Sequence, residues 1–327
     1  MTGRYDKSIA VIGLGSMGKR RIRLIRELFP AYGIIGVDAR EDRRKEVQEQ
    51  FGIAAAASVQ EIDCKIDCAF VCTPPLSHEA VIRECLENGW HVFTELNLTD
   101  AGYEENTALA EDAGLKLFLS STMLYRRETQ YIRSKIGDGK WNYIYHIGQY
   151  LPDWHPWEDY RDFFAAKKGS NGCREILAIE LPWLLETFGA VEEISSASGR
   201  MSDLDLTYDD NYMITIRHAN GSKGSLIVDV VSPVAVRKLE AYTDGAYLTW
   251  DGTPESVYEF DPASKELKRV ILAGESEHAD GYRAFIAEEA YKEEIREFIA
   301  VVQDGAKPRY DLTKDRRILK MIDRIGA

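Results

Sequence analysis

The stretch Ile9-Ala10-Val11-Ile12-Gly13-Leu14-Gly15-Ser16-Met17-Gly18 restricts the fold more than any other part of the chain. A short apolar run enters a glycine turn, and a helical pattern leaves it. Gly13 allows the tight turn, Gly15 lets an anion approach the backbone, and Gly18 lets the helix lie close to the strand. The N–H groups and positive end of that helix then face the anion. A second apolar run, Ile34-Ile35-Gly36-Val37, ends in Asp38, twenty residues after Gly18. That is where a dinucleotide site places a carboxylate for the ribose hydroxyls. Gly13, Gly15, Ser16, Met17, Gly18 and Asp38 are therefore candidate contacts for a nucleotide. Asp38 repels a 2′-phosphate and predicts NAD ahead of NADP. Arg40, Arg43 and Arg44 lie close behind it; they weaken that preference and read first as a solvated helix face.

The bulk numbers narrow the rest. A chain of 327 residues is long enough for two domains. Its net charge of −13 gives no support to sequence-independent nucleic-acid binding. The basic run Lys19-Arg20-Arg21-Ile22-Arg23-Leu24-Ile25-Arg26 reads as an amphipathic helix with a solvated basic outer face. The five cysteines form no C-x-x-C, and no histidine stands at metal-ligand spacing from them, so no metal site is expected. With no apolar leader and no run long enough to span a membrane, the reading is cytoplasmic.

Along residues 1–122, strand and helix patterns alternate, which implies an α/β Rossmann domain with a parallel sheet covered on both faces. The strand at 67–73 is stopped by Pro74-Pro75, and another at 91–94 precedes a helix that runs to Gly114. Residues 123–327 read as an α+β domain with a mainly antiparallel open sheet. Turns at Asn220-Gly221, Asp244-Gly245 and Asp251-Gly252 mark its hairpins. The last helix, 311–325, is free to return to the first domain.

The stretch from Val71-Cys72-Thr73-Pro74-Pro75-Leu76-Ser77-His78 to Gly89-Trp90-His91-Val92-Phe93-Thr94-Glu95, with the glycine turn, resembles the glucose–fructose oxidoreductase, inositol dehydrogenase and MocA (Gfo/Idh/MocA) family. The resemblance is close over roughly the first 120 residues and looser beyond. It implies hydride transfer between a nicotinamide cofactor and a sugar, cyclitol or sugar nucleotide, and a homo-oligomer, dimer or tetramer. It places Thr73, Pro74, Pro75 and His78 along the cofactor and Glu95 near the nicotinamide ribose. The family usually follows this glutamate with lysine and proline, but here Leu96 and Asn97 follow it. Leucine cannot donate a hydrogen bond or carry a proton. The family's aspartate and histidine, four residues apart on a long helix, correspond to Glu175 and Ile179, or with a one-residue shift to Glu180.

With the usual lysine and histidine absent, Glu175 and His155 are the candidates for acid–base work. A carboxylate on an apolar helix has a raised pKa, and histidine titrates near working pH. The segment Trp154-His155-Pro156-Trp157-Glu158-Asp159-Tyr160-Arg161 reads either as a substrate wall or as a packed loop. Tyr125, Arg126, Trp154 and Arg161 are the candidate substrate contacts. Two other readings compete with the oxidoreductase. One is an NAD-binding sensor or scaffold without turnover; the other is an epimerase or lyase that retains its cofactor.

Overall fold

The computed structural model describes residues 7–156, 158–272 and 287–327. Trp157 of the aromatic segment lies outside the described residues. The chain divides into two compact units: residues 1–121 with Tyr291–Arg316, and Thr122–Ala290 with Arg317–Ala327.

The first unit is built on strands β1 (Ser8–Ile12), β2 (Gly33–Val37), β3 (Ala54–Ala56), β4 (Cys68–Val71), β5 (His91–Thr94) and β6 (Leu117–Leu119). Helices α1 (Ser16–Leu28), α2 (Glu41–Phe51), α3 (His78–Glu87) and α4 (Tyr103–Asp112) alternate with them. All pairings are parallel, in the order β3-β2-β1-β4-β5-β6. The strands are buried on both faces, which explains why they read as continuous apolar runs. On one face Ala10, Ile12, Ala69, Val71 and Val92 meet Ile82, Cys85 and Leu86 of α3. On the other, Phe70, Phe93 and Phe118 stand side by side in register and stack at 4.7 and 5.2 Å.

Phe298 closes that second face, 5.3 Å from the Phe70 ring and 5.6 Å from the Phe93 ring. It belongs to α7 (Glu288–Asp304), which the sequence reading counted with the second domain. The final helix, α8 (Leu312–Ile325), has Arg316 in the first unit and the residues from Arg317 onward in the second.

The second unit holds α5 (Arg127–Ile136), β7 (Asn142–Gly148), α6 (Gly172–Phe188) and seven further strands. These are β8 (Val191–Gly199), β9 (Asn211–His218), β10 (Lys223–Asp229), β11 (Val236–Thr243), β12 (Ala246–Trp250), β13 (Tyr258–Asp261) and β14 (Glu266–Arg269). The sheet order is β14-β13-β12-β11-β7-β10-β9-β8, and only β7 and β10 pair in parallel. Alternation in β9 and β10 turns one face inward. There Tyr143 stacks on Phe188 at 4.0 Å, and Tyr145 meets the edge of Trp183 at 5.5 Å. The other face leaves Ile144, Met213 and Tyr242 exposed. Among the described residues, no helix is long and apolar enough to cross a membrane.

Phe298 is fully buried among three rings, so Phe298→Ala should destabilise the first unit by about 3–5 kcal/mol through lost burial and a cavity. Urea unfolding followed by tryptophan fluorescence measures it. A loss below about 1 kcal/mol would mean that α7 is not part of that core.

Candidate functional site

The order β3-β2-β1-β4-β5-β6 reverses direction between β1 and β4, and α/β sheets open a crevice at that switch point. A cleft of about 380 Å³ lies there, at the carboxyl ends of the two strands. Its walls include Gly13, Asp38, Arg43, Cys72, Thr73, Pro74 and Ser77. Gly13 has φ 91°, and a Cβ on it would come within 2.7 Å of the Cys72 carbonyl. A Cβ on Gly18 would sit 1.9 Å from the Gly13 oxygen, so α1 starts this close to β1 only without one. Gly15 is the N-cap of α1, offers no side chain to cap it, and no acid occupies the first turn. The positive end of α1, with Ser16 and Met17 in its first turn, carries no acidic side chain of its own, as an anion site requires.

Asp38 is anchored rather than loose. Its Oδ2 accepts the Leu14 N–H at 2.8 Å and its Oδ1 the Arg40 N–H at 2.9 Å. The three arginines behind it part company. Arg40 forks onto Asp42, and Arg44 donates to the Asp38 and Ala39 carbonyls at 2.7 and 2.8 Å. Arg43 lines the cleft, its guanidinium 3.4 Å from Asp38 Oδ2.

Thr73, Pro74 and Ser77 form the opposite wall, and the Ser77 hydroxyl lies 2.8 Å from Thr73 Oγ1. Pro75 opens a short 3₁₀ turn behind them. His78 does not line the cleft. It is buried behind this loop, with Nε2 2.7 Å from the Thr73 carbonyl and Nδ1 2.6 Å from the Asn97 amide.

Glu95 leads to the largest correction. Its carboxylate is gripped by Arg21, whose Nε and Nη2 donate at 2.6 and 3.2 Å. Arg21 is fully buried and Arg20 nearly so, where the sequence reading expected a solvated basic face. Arg21 also donates to Glu294 at 2.9 Å and lies over the Phe93 ring. The spacing carried the signal. Arg21 stands three residues after Gly18 and four before Ile25, on the stripe of α1 that faces the sheet.

In the second unit, Glu175 and Glu180 differ sharply. Glu180 is fully buried and accepts from the Tyr145 hydroxyl, the Trp183 indole and Arg237, each at 2.7 Å. Glu175 lies one turn before Ile179 on a partly exposed stripe of α6. Its Oε2 is shielded from solvent without a hydrogen-bond partner among the described residues. Burial pushes its carboxyl up to about 8.

The remaining candidates have local partners. His155 Nδ1 lies 2.6 Å from Glu158, with its ring against Phe163. Arg161 forks onto Asp159. The Trp154 indole donates to the Gln149 carbonyl at 3.2 Å. Tyr125 and Arg126 are buried. Arg126 donates to Glu128 at 2.9 Å and to the Gly252 carbonyl at 3.0 Å, beneath the Trp250 ring.

Comparison with known proteins fits the cleft. Residues 7–121 match the model of the Gfo/Idh/MocA oxidoreductase family, whose NAD-binding domain has a Rossmann fold. The matched residues lie within the first unit. Human biliverdin reductase A is 26% identical over 214 residues, covering 63% of this chain and 64% of that protein. Myo-inositol 2-dehydrogenase of Thermotoga maritima is 26% identical over 136 residues, 40% of this chain and 41% of its own. The chain therefore spans less than two thirds of either relative. UDP-N-acetylglucosamine 3-dehydrogenase of Acidithiobacillus ferrooxidans shares the fold, with a TM-score of 0.74 at 17% identity, over 97% of this chain and 96% of that one.

Glu175 also makes stability depend on pH. The unfolded carboxyl loses its proton near 4.5, whereas the folded one keeps it to about 8. Its stabilising contribution is complete below 4.5 and is lost as pH rises through 8. Glu175→Gln, neutral throughout, should melt with the parent chain near pH 4 and above it at pH 9. A difference in Tm that does not grow with pH would show that Glu175 is not held protonated.

Proposed function

We propose that the chain is an NAD(P)-dependent oxidoreductase that transfers hydride between a nicotinamide cofactor and a carbinol carbon of a sugar, cyclitol or sugar nucleotide. The observation that carries this is the cleft at the β1/β4 switch point, lined by the Gly13 turn that leads into α1 and by the anchored Asp38. The first would take the pyrophosphate and the second the adenosine ribose. Thr73 and Pro74 wall the cleft, with Pro75 in the turn behind them, and Glu95 is fixed by Arg21 at the end of β5. A bound nicotinamide supplies or accepts the hydride.

The chain's own acid–base group is then Glu175. A hydroxyl becoming a carbonyl must lose its proton, and a carboxyl pushed up to about 8 suits that exchange near neutral pH. His155 ranks behind it because Glu158 and Phe163 already hold its ring. Trp154 and Arg161 remain candidate walls for the substrate, while Arg126 serves its own unit's packing. The exposed sheet face with Ile144, Met213 and Tyr242 suits a homo-oligomer. A second reading, an NAD-binding sensor, is favoured by Leu96 and Ile179, which carry no proton.

Asp38 and Arg43 should set the choice of cofactor. Asp38→Ala should weaken NAD⁺ binding about tenfold and narrow the gap to NADP⁺, because the carboxylate that holds the ribose and repels a phosphate is gone. Calorimetry with both nucleotides tests it; unchanged affinity for both would remove Asp38 from the site.

Turnover separates enzyme from sensor. In the oxidative direction the rate should rise with pH through about 8, and Glu175→Gln should lower kcat at least a hundredfold while sparing NAD⁺ affinity. Full activity in that variant would exclude Glu175 from the chemistry.

A further inference from the structure

His78 and Asn97 form a buried pair directly behind the cleft wall, each no more than 3% exposed. The chemistry of their contacts fixes their hydrogens. His78 Nε2 is 2.7 Å from the Thr73 carbonyl, which can only accept, so Nε2 carries a hydrogen. Burial lowers the pKa of His78, so the ring is neutral and Nδ1 presents a lone pair. A donor must meet that lone pair.

Two groups lie within reach. Thr94 Oγ1 is 3.3 Å away, and its single proton has a nearer acceptor in the Glu95 carbonyl at 3.1 Å. Asn97 is the nearer, with its amide at 2.6 Å. If the amide oxygen faced Nδ1, two acceptors would be pressed together and the Asn97 nitrogen would be buried without a partner. Turning the amide about its own axis gives Nδ1 its donor and sets the amide oxygen on the side that faces Tyr103.

We infer that Asn97 is a positioning residue of the nucleotide cleft: its amide N–H donates to His78 Nδ1, fixes the Nε2–H tautomer and so locks the Thr73 carbonyl. Thr73 is itself cleft wall, and its hydroxyl engages Ser77, the next wall residue. The lock therefore sets where a bound nucleotide meets that side. Its effect on binding rests on the nucleotide reading above, whereas the tautomer does not.

The test uses the full chain labelled with ¹⁵N. Histidine ring nitrogens are observed by NMR, and the His78 signals are identified by their loss in His78→Gln. The expected ring is neutral with hydrogen on Nε2. Asn97→Asp puts an acceptor against Nδ1, so the ring should hold a second proton to higher pH. NAD⁺ binding, measured by calorimetry, should weaken about tenfold in Asn97→Leu and be kept in Asn97→Asp, whose doubly protonated ring still donates Nε2–H to the Thr73 carbonyl. A parent ring with hydrogen on Nδ1, or on both nitrogens, overturns the inference. So does Asn97→Leu binding NAD⁺ as tightly as the parent chain. Failure of the unaltered chain to bind NAD⁺ or NADP⁺ would instead overturn the nucleotide reading, with the tautomer still deciding the lock.

Discussion

The buried guanidinium of Arg21 is the interaction on which the first unit depends. It joins α1, which it belongs to, to Glu95 at the end of β5, Ser120 after β6 and Glu294 on α7. Burial works against its charge, but the carboxylates of Glu95 and Glu294 outweigh this and raise its pKa above the ordinary arginine value. Two carboxylates facing one guanidinium leave an excess of negative charge out of water. Burial answers part of it by pushing Glu294 upward. Ser120 Oγ and the Ser121 N–H also donate to Glu294, at 2.9 and 2.7 Å. Such a cluster adds little net stability over apolar packing, yet removing one member leaves an unpaired buried charge worth about 3–5 kcal/mol. Its value lies in geometry. Glu95 is held in one orientation, and α7 is fixed to a sheet that precedes it by some 170 residues.

The fold was legible in the sequence wherever periodicity and turn chemistry agreed. The glycine turn, the alternation through residue 119 and the Asn-Gly and Asp-Gly hairpins are local signals, and each marks its element in the structure. β8 escaped because it is polar and exposed along most of its length, so it shows no apolar alternation. The attachment of α7 escaped because a helix's own sequence shows which face is apolar but not which sheet receives it.

The site divides the same way. Gly13 and Asp38 stand where their spacing put them, because backbone sterics and strand order fix both. His78 and Arg21 were misplaced because each has its decisive partner far along the chain: Asn97 for the histidine, and Glu95 and Glu294 for the arginine. A basic run scanned for charge suggests solvent, whereas the same run scanned at helical spacing puts Arg21 on the buried stripe.

Glu175 and Glu180 show why residue type alone could not assign the chemistry. They lie five residues apart on one helix, amid largely apolar neighbours. Glu180 has three donors at 2.7 Å, one of them a guanidinium, which together hold a carboxylate in place as part of the core. Glu175 has its Oε2 shielded and no such donor to it among the described residues, and burial alone moves it to about 8. Five residues turn a helix by about 500°, which places the two side chains some 140° apart. One therefore meets the tyrosine and tryptophan side of the sheet, and the other the stripe it shares with Ile179. Helical phase, not the glutamate itself, separates the two environments.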